Sequence, residues 1–306
     1  MTWKPLLEFR REGMAEVLVH GAVAWADADG PLHTFGGDPV IFGRSLMKPF
    51  QIAPFADELV DTLGEEGIAL ACASHNAQPE HLAVLSRMRD AALTRAMAQP
   101  PSLPLVPQPG RKPKPSPLLH PCSGKHAALL QACRRRGWET ANYTSASHPL
   151  HAAYLEGLKQ RLGRRWRPGP LARDGCGLPT MAFRLSRLAQ LFASLARENK
   201  KSVVWRAMTR HPVLVGGTGR LDTDIIAAAR GKVVAKEGAD GLLAMGFRHR
   251  NHPNGLGVVV KIAHGWAPAQ TRFVASRVLA SLGMKLEAPP APEGQTVFLP
   301  EGSVPR

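Results

Sequence analysis

Arg44-Ser45-Leu46-Met47-Lys48-Pro49 marks the point where the pattern of this chain changes. Before it, residues 16–25 and 31–35 read as two strands joined by Asp27-Ala28-Asp29-Gly30, a hairpin signal. After it, residues 45–63 carry apolar groups at helical spacing. Pro49 has no amide hydrogen and is tolerated only in a first turn, so the helix is expected to begin close to Ser45. Residues 66–72 form a short apolar run, either a strand or a buried helix end. Further helical spacing covers residues 79–97, 123–136, 149–162, 179–198 and 203–209, with a proline-rich irregular connection at 100–121. Residues 231–236 and 256–263 read as strands, 239–247 as a turn-rich stretch, and 271–282 as a helix. The order of strands, then helices, then strands predicts an α/β (α+β) fold, with an antiparallel sheet from the N- and C-terminal strands packed with helices, plus a helical region. The expected organisation is a single catalytic domain over residues 1–306. Its sheet part takes about 1–44 and 225–287, its helical part about 45–224, and 288–306 is a Pro/Gly-rich surface tail.

The 306 residues are 44% hydrophobic and 21% charged, enough to bury a sizeable core. The net charge of +15 raises the question of a nucleic-acid partner. The basic residues are scattered and do not alternate with aromatics, so a nucleic-acid-binding protein is the alternative and a solvated basic surface the preferred reading. No apolar stretch approaches membrane-spanning length, and charges interrupt residues 1–14, so a cytoplasmic protein with reduced thiols is expected.

Ser45 and Lys48, three residues apart at a helix start, place a hydroxyl and an amine on one face, the arrangement of a serine activated by a lysine base. Such a lysine must be neutral, which burial or a second cation achieves. Lys236, at the end of a predicted strand, is the candidate second cation, and Ser74 in Ser74-His75-Asn76 is a second hydroxyl. The order S-x-x-K, S-x-N, K-x-G echoes the serine β-lactamase motif set, with His75 and Glu237 at the variable positions. Cys122 and Cys176 lie in two further dense clusters, residues 120–126 and 174–179, as a zinc pair or as small buried hydrophobes. Asp174 could set a carboxylate on a tight turn near a substrate amine. Residues 215–224 are glycine-rich without a dinucleotide fingerprint; Asp222 reads as a helix cap and Arg220 as a partner for a carboxylate. His148, His151, His249 and His252 read as surface or capping groups.

Together these stretches resemble the asparaginase II family of the rhizobial thermolabile type: RSLMKPFQ at 44–51, ASH at 73–75, CSGKHA at 122–127, DGCGLP at 174–179, HPVLVGGTGRLDTD at 211–224 and KEGADGLLAMG at 236–246. The resemblance implies a fold like serine β-lactamases and glutaminases, and hydrolysis of L-asparagine to aspartate and ammonia. It implies Ser45–Lys48 and Ser74–Lys236 as two catalytic pairs. It also implies Arg44, His75 and Asp174 as substrate-site residues, zinc held by Cys122, Lys125 and Cys176, and a homodimer. Another serine acyl hydrolase of the β-lactamase or glutaminase type is the nearest alternative. The chain departs from the family at Ala77-Gln78, where Gly-Glu is usual, and at Pro121, where Asn is usual.

Overall fold

The computed structural model describes residues 3–107, 110 and 112–287, together with the backbone of 295–297. Along the chain run β1 (Lys4–Arg11), β2 (Met14–Asp27), β3 (Pro31–Phe35), β4 (Val40–Phe42), α1 (Lys48–Ile52), α2 (Ala56–Ala71), α3 (Pro79–Arg87), α4 (Ala91–Ala96), α5 (Ser123–Arg135) and α6 (Pro149–Leu162). There follow β5 (Leu171–Arg173), β6 (Pro179–Arg184), α7 (Leu185–Arg197), α8 (Val203–Arg210), α9 (Pro212–Val215), α10 (Leu221–Ala228), β7 (Val233–Gly238), β8 (Leu242–His249), β9 (His252–Ile262), α11 (Pro268–Ser281) and β10 (Gln295–Val297). The mixed α/β class and the antiparallel sheet built from both ends of the chain match the sequence reading.

The elements form two compact units. The first comprises residues 1–46, 183–198 and 224–306, the second 47–182 and 199–223. In the first, the strand order is β10-β1-β2-β9-β8-β7, with β3 also paired to β2. The β2–β3 hairpin turns where expected: Asp27 N–H donates to Gly30 O at 3.0 Å, and Asp27 Oδ1 accepts from the amides of Asp29 and Gly30. β9 is buried on both faces from Leu256 to Ile262, so its side chains do not alternate.

Helix α7 packs against β2, β8 and β9, and glycines let it approach closely. A Cβ added at Gly257 would lie 1.8 Å from Ala189 O, and one at Gly246 would lie 2.5 Å from Phe192 O. Gly257→Ala is therefore expected to lower stability by at least the ~1–3 kcal/mol typical of core overpacking, read as a fall in the urea midpoint. An unchanged midpoint would show that the helix can move away.

The second unit is helical. Its centre is α2, which packs against α3, α5, α8 and α9. Gly64 breaks α2 at φ 66°, and residues 68–71 beyond the break are completely buried, so the ambiguous run at 66–72 is a helix end.

The structure corrects several boundaries. The segment after Gly43 enters as a 3-10 turn, Arg44–Met47, and the α-helix starts at Lys48 with Pro49 in its first turn. Residues 79–97 are two helices, because Asp90 caps the second by accepting from Leu93 N–H. Residues 179–184 are a strand: β6 pairs with β5 across the turn at Gly177, and the helix begins only at Leu185. The stretch 239–247, read as turn-rich, holds most of β8, since an apolar run buried on both faces shows no strand period. β1 went unread, its three consecutive buried residues Leu6–Glu8 being flanked by charge. The proposed tail at 288–306 lies outside the described residues, apart from 295–297, whose backbone pairs with β1.

Candidate active site

The C-terminal end of α2 delivers the loop Cys72–Gln78. Its backbone is tied to the segment after α9: Ser74 N–H donates to Val215 O and Asn76 N–H to Gly216 O, both at 3.1 Å. The N-terminus of α5 lies against the same helix end. A Cβ at Gly124 would sit 2.4 Å from Leu70 O, so only glycine lets Ser123 and Lys125 come this close.

Lys48 is 1% exposed and hydrogen-bonded. Nζ donates to Ala73 O, to Pro121 O at 3.2 Å, and lies 2.9 Å from Ser74 Oγ. The two carbonyls can only accept, and they use two N–H groups. The third position of Nζ faces the hydroxyl: an N–H there makes Lys48 an ammonium, a lone pair there makes it a base accepting from Ser74 O–H. The sequence reading paired Lys48 with Ser45 and Ser74 with Lys236; the structure adds a contact between Lys48 and Ser74 that it did not draw. Ser45 lies half-buried in the 3-10 turn of the first unit. In that unit Lys236 is fully buried on β7, with Nζ donating to Glu237 O at 2.8 Å. Arg44, at φ 47°, donates from Nη1 to Asp240 Oδ2 at 3.0 Å.

His75 is fully buried, and burial first, then the nearby His81 and Lys48, pulls its pKa well below the usual imidazole range. Its neutral tautomer is fixed. Nδ1 accepts from Ala77 N–H at 3.0 Å, so Nε2 carries the hydrogen and donates to Ser123 Oγ at 2.8 Å. Ser123 in turn donates to Leu118 O at 3.1 Å. With both ring nitrogens engaged, His75 is a bracket between the Ser74 loop and α5. His81 repeats the pattern, accepting from Gln78 N–H and donating to Val213 O. Burial also lowers its pKa and that of His151, which is buried in α6 where a surface group had been read. His148 does cap α6, accepting from Leu150 N–H. Unfolded, His75, His81 and His151 take up protons as pH falls below about 6.5, whereas in the fold they resist. The stability tied to their neutral forms is therefore complete above about pH 6.5 and is lost as pH falls from there toward their lower folded pKa values. A melting temperature level above neutrality and falling between pH 6.5 and 5 is expected; a level profile through that range would contradict it.

Cys122, Lys125 and Cys176 come together in the second unit, all buried. Lys125 Nζ lies 3.5 Å from Cys176 Sγ. A hydrogen bond from the Cys176 thiol, followed by the Lys48 and Lys125 charges, holds Cys122 well below the ordinary thiol range against burial, while that same bond and burial push Cys176 up. Burial pulls the Lys125 amine down, and the two sulfurs more than reverse it. Two thiols and a lysine nitrogen converge in this buried place, and with the lysine deprotonated they are a donor set that suits zinc. Among the described residues no group of three or more His, Cys, Asp or Glu is placed to hold a metal, and it is the lysine that completes this triad. Asp174 opens the turn before β6, where Gly177 N–H donates to its carbonyl at 2.8 Å, and its charge helps raise Lys125.

Sequence reasoning passed over Ser123 and offered Arg220 only as a partner for a carboxylate. Arg220 Nη1 donates to Ser74 O at 3.1 Å and to Asn76 Oδ1 at 3.0 Å. Asp222 lies inside the first turn of α10, its Oδ1 accepting from Thr223 N–H.

Among the described residues no helix is long and apolar enough to cross a membrane. A search of curated proteins finds no match. Two solved structures align over most of the chain. One is a Bacillus glutaminase crystallised in 4.3 M NaCl (11% identity, 87% of this chain and 92% of that one, TM-score 0.40). The other is a probable glutaminase from Bacillus subtilis complexed with 6-diazo-5-oxo-L-norleucine (12% identity, 87% and 86%, TM-score 0.36). The family model for L-asparaginase II matches residues 7–298, nearly the whole chain. The chain belongs to the L-asparaginase II family.

Proposed function

We propose that this protein, an amidohydrolase by family, hydrolyses L-asparagine to L-aspartate and ammonia through a serine activated by Lys48. The observation that carries this reading is the buried Lys48 amine, which donates to two backbone carbonyls and lies 2.9 Å from Ser74 Oγ. Ser45 is assigned the attack. An attacking hydroxyl must reach substrate, and Ser45 is half-buried one turn before Lys48 in the chain, whereas Ser74 is 5% exposed and engaged with Lys48. Ser45 Oγ bonds to the side-chain amide carbon as its proton passes, by way of the Ser74 hydroxyl, to neutral Lys48. Collapse breaks the C–N bond, and the Lys48 ammonium, directly or through Ser74, returns the proton to the departing nitrogen as ammonia. Water, deprotonated by the same amine, then attacks the acyl ester; the C–O bond to Ser45 breaks, the Lys48 ammonium returns its proton to Ser45 Oγ, and aspartate is released. Lys236 is assigned as the second lysine of the family pattern, with Arg44 and Asp174 as groups that hold the substrate's charged ends. Zinc, when bound, would be held by Cys122, Lys125 and Cys176 and would supply Lewis acidity and cross-link the two loops. Elemental analysis finding no zinc in the purified protein would remove that part.

Ammonia release is the test, measured with L-asparagine, L-glutamine and a β-lactam. Ammonia from asparagine with no lactam turnover is expected; lactam turnover without ammonia would transfer the chain to the neighbouring acyl-hydrolase class.

A further inference from the structure

Ser74 is held from two sides by basic side chains. Lys48 takes its hydroxyl, and Arg220 takes its carbonyl at 3.1 Å. The second N–H of the same Arg220 nitrogen goes to Asn76 Oδ1 at 3.0 Å, so one guanidinium fixes both residues that flank His75. The segment leading to Arg220 runs along the loop. Val215 O and Gly216 O accept from the amides of Ser74 and Asn76, and Thr218 N–H donates to Gln78 Oε1 at 2.9 Å. Gly217, at φ 120°, passes so near that a Cβ would lie 2.6 Å from Gln78 Oε1 and 2.9 Å from Asn76 Nδ2. Gln78 thus uses its amide oxygen where the family usually carries a carboxylate. The loop has little freedom left except through these contacts, and it is the loop that sets where the Ser74 hydroxyl meets Lys48.

We propose that Arg220 is a positioning residue for the Ser74–Lys48 pair, and that the segment from Val215 to Arg220 is the clamp through which it acts. The proposal rests on the amidohydrolase reading for its effect on rate. A misplacement of about 1 Å at a reacting group costs on the order of 100-fold. Arg220→Ala is expected to lower kcat by about that factor with KM nearly unchanged, because the residue holds the catalytic pair and is not assigned to the substrate. Millimolar guanidinium should restore part of the lost kcat, which a fold merely weakened by the substitution would not show. Arg220→Lys, which offers an ammonium in place of the planar guanidinium fork, should fall between wild type and Arg220→Ala. Gly217→Ala should give a similar loss with the charge retained.

Hydrogen exchange of the peptide covering residues 72–78 supplies a readout that needs no turnover, and faster exchange is expected there in Arg220→Ala. A kcat within threefold of wild type, or a loss that guanidinium does not touch, would overturn the proposal. If the wild-type protein releases no ammonia from any amide, the functional reading fails by itself. The clamp is then judged by exchange alone: faster exchange confined to this peptide upholds it, and unchanged exchange overturns it.

Discussion

Lys48→Met is expected to lower amide turnover by about 10⁴-fold, the upper range for removing a general acid–base. Methionine keeps an unbranched apolar stem of similar length, so the change is chiefly the loss of the amine. That amine meets Ala73 O, Pro121 O and Ser74 Oγ at once. The same substitution strips two carbonyls of a donor. Each buried carbonyl left unpaired costs about 1–3 kcal/mol, so a lower melting temperature should accompany the loss of rate. Turnover within tenfold of wild type in a folded variant would remove Lys48 from the chemistry.

Ser45→Ala is expected to lower turnover by at least about 1000-fold, the scale of a lost nucleophile. Ser74→Ala should cost less, about 100-fold, because it removes the hydroxyl that holds and relays for Lys48 while leaving the attacking group in place. Rates alone separate these roles poorly, since residues that act as a unit do not contribute additively. Trapping does better: an acyl group captured from a slowly hydrolysed substrate and located by peptide mass spectrometry should lie on Ser45. An acyl group on Ser74 would exchange the two assignments and leave the Lys48 prediction intact.

Much of this was legible in the chain itself. Pro49 limited where a helix could start, Asp27-Ala28-Asp29-Gly30 announced a hairpin, and the span 149–162 was read to the residue, because a proline at the first turn and helical apolar spacing are local signals. Reading failed where burial erased the period. β8 is apolar on both faces, and β6 is a strand because it has β5 to pair with; neither fact is local.

The site divides along the same line. The sequence by itself determined the chemical inventory: two serines, two lysines, two thiols with a lysine between them in the chain, and the glycines that allow close approach. It also determined that these belong to the L-asparaginase II family. Only the tertiary structure decided the partnership of Lys48 with Ser74, 26 residues away, the neutral tautomer of His75, and the grip of Arg220 on Ser74 from 146 residues further on. Spacing along a helix can propose which neighbours share a face. A hydrogen bond between segments depends on how α2, α5 and the turn after α9 pack, and that is set by burial and close contact at residues such as Gly124 and Gly217, which no short stretch of the chain encodes alone.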